Sequence, residues 1–199
     1  TSKLSSFFSQ TLFICTFMIG KFILKDGSIV DILPKTKKVL GVIFDETKDA
    51  YLILPFEDID SHHSYDLEEI MDIAESYNQA HGNRYLQWHV PSFKEWNMII
   101  SRLGKTDAIG CEEIAGCDRM TEWTKFDKDV ATKNLKKFGL TPETTYWSST
   151  IEYDDEVYLF DLGMGVVEAY PVFDDGEPYD DSLRLVGKVI KKKIIMSNI

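Results

Sequence analysis

The chain has 199 residues, 44% hydrophobic and 13% aromatic, with a formal net charge of −11. That composition supplies a globular core and does not suit a disordered segment. It also excludes an ordinary nucleic-acid binder, because no basic stripe is present to neutralise phosphates. The dense basic run, Lys188 with Lys191, Lys192 and Lys193, reads as a solvated end.

In chain order, Leu12 to Gly20 is apolar but too short to span a bilayer. It lacks the basic flank and small-residue cleavage site of a signal segment, so it reads as a buried strand. Strands are predicted over Phe17 to Lys25 and Ser28 to Leu33, joined by a tight turn at Asp26-Gly27, where glycine tolerates positive φ. Val39 to Asp45 and Tyr51 to Pro55 add a second pair, giving an antiparallel meander over 20–60.

Helices follow. Asp66 and Glu69 form a D-x-x-E cap before an apolar stripe of Leu67, Ile70, Met71, Ala74 and Tyr77, which His81-Gly82 ends. Ser92 and Glu95 form a capping box before Phe93, Trp96, Ile99, Ile100 and Leu103, with Gly104 just past the end. Asp127 opens a third helix through Val130, Ala131, Leu135 and Phe138, which Gly139 stops.

The last third returns to strands at Thr145 to Ile151, Glu156 to Leu162, Val166 to Val172 and Leu183 to Ile190, with a hairpin turn at Gly163-Met164-Gly165. Strands, then helices, then strands define an α+β class rather than alternating βαβ units. One domain over 1–199 accounts for this order, with the meander at 20–60 and the main core at 65–190.

Three cysteines, Cys15, Cys111 and Cys117, leave two readings open: a small Cys111–Cys117 loop disulfide or buried free thiols. His62-His63 is expected in a loop, where a metal would need a distant further ligand. No nucleophile elbow, phosphate-cradling glycine loop or H-E-x-x-H motif is present, so the chain is read as a non-enzyme.

Three segments together resemble a known group. Trp88-His89-Val90-Pro91-Ser92-Phe93-Lys94-Glu95-Trp96 resembles the signature W-x-L-P-[ST]-x-x-E-[WL]. Tyr146-Trp147-Ser148-Ser149-Thr150 is similar to YWSST, and Ser182-Leu183-Arg184-Leu185-Val186 to a closing x-x-R-x-V. Upstream, Gly20 to Ser28 and Leu40 to Phe44 resemble the leader of the same proteins. Their order resembles that of the bacterial DUF1566 and major-paralogous-domain surface proteins of Bacteroidetes. His89, Val90 and Ile151 depart from the pattern. The resemblance implies a C-type-lectin-like fold of antiparallel sheets flanked by two or three helices, in an extracytoplasmic, secreted or surface-exposed adhesion or binding module. Read as residues, Trp147 is expected to anchor the core, and Arg184 to pair with a carboxylate or loop carbonyls.

For function the sequence singles out an acidic stretch. Between Ile151 and Asp181 there are eleven Asp or Glu and no Lys or Arg. The candidate ligand-binding residues are Asp154, Asp155, Glu156, Asp174, Asp175, Glu177, Tyr179, Asp180 and Asp181, expected at loop tips. Such oxygens suit Ca²⁺, although EF-hand spacing is absent; a solvated acidic face is the other reading. No cofactor is otherwise expected. The expected partner is an extracellular glycan, peptide or surface protein, with no nucleic acid and no transmembrane segment. Two further functions stand beside this one. One is an assembly subunit of a surface appendage that uses the apolar first 20 residues. The other is a hydrolase using a carboxylate pair such as Asp155 and Asp175.

Overall fold

The computed structural model of the chain describes residues 18–35, 38–63, 67–106, 120–122, 127–141, 144–152, 156–171 and 181–191. For 60–63, 120–122, 152, 170 and 171 only the backbone is described. The expectations for Leu12 to Phe17, the Asp66 cap and all three cysteines lie outside these residues.

The first strands are β1 (Phe22–Leu24), β2 (Ile29–Val30), β3 (Val39–Glu46), β4 (Ala50–Leu54) and β5 (Asp60–His63). Next come α1 (Leu67–His81), β6 (Leu86–His89), α2 (Phe93–Arg102), β7 (Met120–Glu122) and α3 (Lys128–Leu135). The chain then runs through β8 (Thr145–Glu152), β9 (Glu156–Asp161), β10 (Val166–Pro171), β11 (Asp181–Leu183) and β12 (Val186–Ile190). They build two six-stranded sheets, ordered β2-β1-β3-β4-β12-β6 and β5-β11-β8-β9-β10-β7. Every pairing is antiparallel except β11 with β8. The chain is therefore α+β, as the element order predicts.

Local chemistry sets the turns. Gly27 takes φ +83° in the β1–β2 turn, and the Asp26 carboxylate accepts the Ser28 N–H at 2.9 Å. The Asp127 carboxylate caps α3 by accepting the Val130 N–H, and a 3₁₀ turn (Lys136–Phe138) then ends at Gly139. Gly139 has φ +79°, and a Cβ there would lie 2.0 Å from the Phe56 carbonyl oxygen, so no other residue fits.

Strand alternation divides the interior into two clusters. On β3, Val42 and Phe44 point one way and Ile43 the other; on β9, Tyr158 and Phe160 oppose Val157 and Leu159. The first cluster joins both sheets to α2 through Phe93, Trp96, Ile99 and Ile100, and to α3 through Ala131 and Leu135. The second joins the opposite faces to α1 through Ile70 and Ala74. Each sheet thus buries side chains on both of its faces.

Several expectations need correction. The strand predicted over Leu183 to Ile190 is two: Arg184-Leu185 carries the chain from the second sheet to the first. Residues 86–89 were not predicted as a strand, yet Leu86 and Trp88 alternate with the exposed Gln87 and pair with β12. His62-His63 lies not in a loop but in β5, paired with β11. Met71 is 47% exposed and falls off the buried stripe of α1. Gly104 follows α2 as predicted, but the left-handed residue there is Lys105, at φ +58°.

Candidate functional site

The three signature segments meet in one place. Ser92 caps α2: its hydroxyl accepts the Glu95 N–H, and the Glu95 carboxylate accepts the Ser92 N–H at 2.8 Å. Directly opposite, β8 loses register with β9 between Trp147 and Ile151. Within this bulge the Ser148 hydroxyl accepts the Thr150 N–H at 3.1 Å, and Ser149 and Thr150 meet the cap. The Ser149 N–H donates to the Pro91 carbonyl at 2.8 Å. The Thr150 hydroxyl accepts the Phe93 N–H at 2.9 Å, one of the donors a helix start leaves free. The buried Trp96 indole N–H donates to the Trp147 carbonyl at 2.9 Å. Trp147 and Ser148 are buried, so this junction is core, with Trp147 the anchor expected of it.

Arg184 is fully buried and ties three elements together. Its guanidinium donates at 2.7 Å to the carbonyls of Pro55 and Gly139, and its Nε pairs with the Asp58 carboxylate. Both kinds of partner expected for it, a carboxylate and loop carbonyls, are present. The Tyr146 hydroxyl beside it accepts the Thr141 N–H at 2.9 Å. Burial first, then the Asp58 carboxylate, raises the Tyr146 phenol above its ordinary 10.0.

Glu95 also contacts His89 Nε2 at 2.8 Å. Burial alone would raise its pKa, but His89 and the Ser92 N–H and hydroxyl together hold it below the ordinary 4.5. A depressed carboxylate adds stability that is complete above the unfolded-chain pKa and lost as pH falls through the folded value. Urea titrations from about pH 6 to about pH 3 should therefore show a steeper acid-side loss in the wild type than in Glu95→Gln. Equal slopes would remove the cap from that account.

Of the acidic candidates, Asp154, Asp155, Asp174, Asp175, Glu177, Tyr179 and Asp180 lie outside the described residues. The other two are not at loop tips. Glu156 is half-buried and is the first residue of β9; Asp181 is buried and is the first residue of β11. Strand register fixes where the acid-bearing segments attach. Glu152 pairs with Glu156, and Glu156 with Pro171. Segments 153–155 and 172–180 thus leave from adjacent positions at one end of the second sheet. Asp181 lies toward the other end, because Ser182 pairs with Tyr146 near the start of β8. Register therefore groups the roots of the Asp154-Asp155 and Asp174-Asp175 segments and sets Asp181 apart.

Among the described residues no three His, Cys, Asp or Glu side chains converge where a metal ion would sit, and no helix is long and apolar enough to cross a membrane.

A second feature escaped the sequence reading. A groove of about 950 Å³ runs beside the end of α1 along the face of the first sheet that packs on the second cluster, lined by Tyr51, Tyr77 and Trp88 among others. Its residues come from all six strands and from α1, so no single stretch of sequence announces it.

A scan against models of known protein families matches none of them, and no curated protein matches the chain.

Proposed function

We propose that the chain is a non-enzymatic binding module with a C-type-lectin-like scaffold, working outside the cytoplasm. On this reading it recognises a glycan, a peptide or a surface protein through its acidic, tyrosine-bearing segments. The observation that carries the reading is the junction of the three signature segments. The α2 cap, the β8 bulge and the Trp96–Trp147 hydrogen bond spend the signature residues on architecture. Recognition is then left to segments 153–155 and 172–180, whose roots share one end of the second sheet. Asp154, Asp155, Asp174 and Asp175 are the ligand-facing residues in this reading, and their hard oxygens suit Ca²⁺ as a bridging ion.

A glycan and glycopeptide array, probed with and without Ca²⁺, tests it. Binding by the wild-type chain should fall at least about tenfold in Asp174→Ala/Asp175→Ala, a loss of about 1.4 kcal/mol. Undiminished binding by that variant would place recognition elsewhere. Cleavage of an array glycan would favour a carboxylate hydrolase instead.

A further inference from the structure

We infer that the loop between β2 and β3, residues 31–38, docks the chain on an anionic lipid surface. The inference does not depend on the role proposed for the acidic segments.

The tip of this loop is apolar and projects. Ile32 is 82% exposed, the highest value among the large hydrophobic residues described, and its neighbour Leu33 is 46% exposed. β2, which leads into the loop, is the edge strand of the first sheet. Pro34 biases Leu33 to extended backbone and stiffens the tip, which keeps the ordering cost of a contact small.

Lysines collar the tip. Residues 20–38 hold five lysines and two aspartates, in a chain where 33 Asp and Glu outnumber 22 Lys and Arg. Lys25, Lys35 and Lys38 are exposed, and none of the three forms an ion pair among the described residues. The Lys25 N–H donates to the Lys38 carbonyl at 3.0 Å, so these two sit side by side at the base of the loop. The nearby carboxylates do not cancel this charge. Asp31 pairs with Lys21 at 2.9 Å, and Asp58 pairs with the buried Arg184. Asp26, which accepts the Ser28 N–H and hydroxyl, and Glu57 then stand against Lys25, Lys35, Lys37 and Lys38. Cations remain in excess where the apolar tip projects.

These features fit a bilayer better than a protein. Two side chains supply far less than the roughly 800 Å² that each partner of a stable protein interface buries. A bilayer demands no matching shape. Aliphatic side chains enter below the headgroups while ammonium groups stay at the level of the lipid phosphates. The overall charge of −11 does not forbid the approach. At physiological ionic strength distant carboxylates are screened over about 8 Å, so the charges at the tip decide.

Co-sedimentation of the full chain with vesicles of phosphatidylcholine alone, and of phosphatidylcholine mixed equally with phosphatidylglycerol, tests this. The mixed vesicles should bind it at least about tenfold tighter, and added salt should narrow the gap. Ile32→Ser/Leu33→Ser should weaken binding to the mixed vesicles at least about tenfold. Lys25→Gln/Lys35→Gln/Lys38→Gln should bring that binding down to the level of phosphatidylcholine alone. All five positions are exposed, so circular dichroism should show both variants folded. No binding to the mixed vesicles, equal binding to both kinds, or undiminished binding by either variant would overturn the assignment. So would capture of soluble polyglutamate through the same lysines without vesicle binding, which would mark the loop as a protein contact.

Discussion

Replacing Arg184 with Met is expected to lower folding stability by about 3–5 kcal/mol, the cost of leaving a buried partner charge unpaired. The change strands the Asp58 carboxylate and removes the donors to the Pro55 and Gly139 carbonyls. Those three partners lie after β4 and after α3, so one side chain holds two connections against the crossover from β11 to β12. Arg184→Lys should recover little, because a single ammonium cannot reproduce the planar fork that reaches two carbonyls and a carboxylate at once. Denaturant titration reads the effect. A loss under about 1 kcal/mol, the range of a surface ion pair, would show that Arg184 does not carry this connection.

Trp96 carries the second large effect. It is fully buried in the first cluster, with the Tyr146 ring at 5.1 Å and the Phe160 ring at 5.7 Å. Trp96→Ala should cost about 3–5 kcal/mol through lost burial and the cavity left behind. Trp96→Phe separates packing from hydrogen bonding. It keeps an aromatic ring but removes the donor to the Trp147 carbonyl, so about 1–3 kcal/mol should go. A Phe variant as stable as the wild type would mean that the link between α2 and β8 is packing alone.

The sequence announced features that depend on neighbouring residues. The Ser92–Glu95 box, the Asp127 cap, the Gly27 turn and the buried face of α2 each lie within a few positions, where period and cap chemistry are readable. What it hid depends on residues far apart. Within Tyr146 to Thr150 the local contact is the Ser148 hydroxyl accepting the Thr150 N–H, while the partners across the junction, Pro91 and Phe93, are more than fifty positions away in sequence. The break at Arg184-Leu185 is likewise set by Pro55, Asp58 and Gly139. β6 was within reach, since Leu86-Gln87-Trp88 alternates, but the run is short and follows directly on a helix end. For the candidate site, the acid count was plain while its geometry was not. The pairing of Glu156 with both Glu152 and Pro171 brings the two segment roots together, and a sequence does not display register. The groove was hidden for the same reason.

The account stands on both sheets belonging to a single cooperative body, pinned where α2 meets β8. Hydrogen exchange followed against denaturant measures this residue by residue. The Trp96 indole N–H, the amides of Ile43 and Ile53 in the first sheet, and those of Leu159 and Val167 in the second should all exchange through one opening, with one free energy equal to that of global unfolding. Two distinct opening energies, one for each sheet, or rapid exchange at the Trp96 indole, would contradict it.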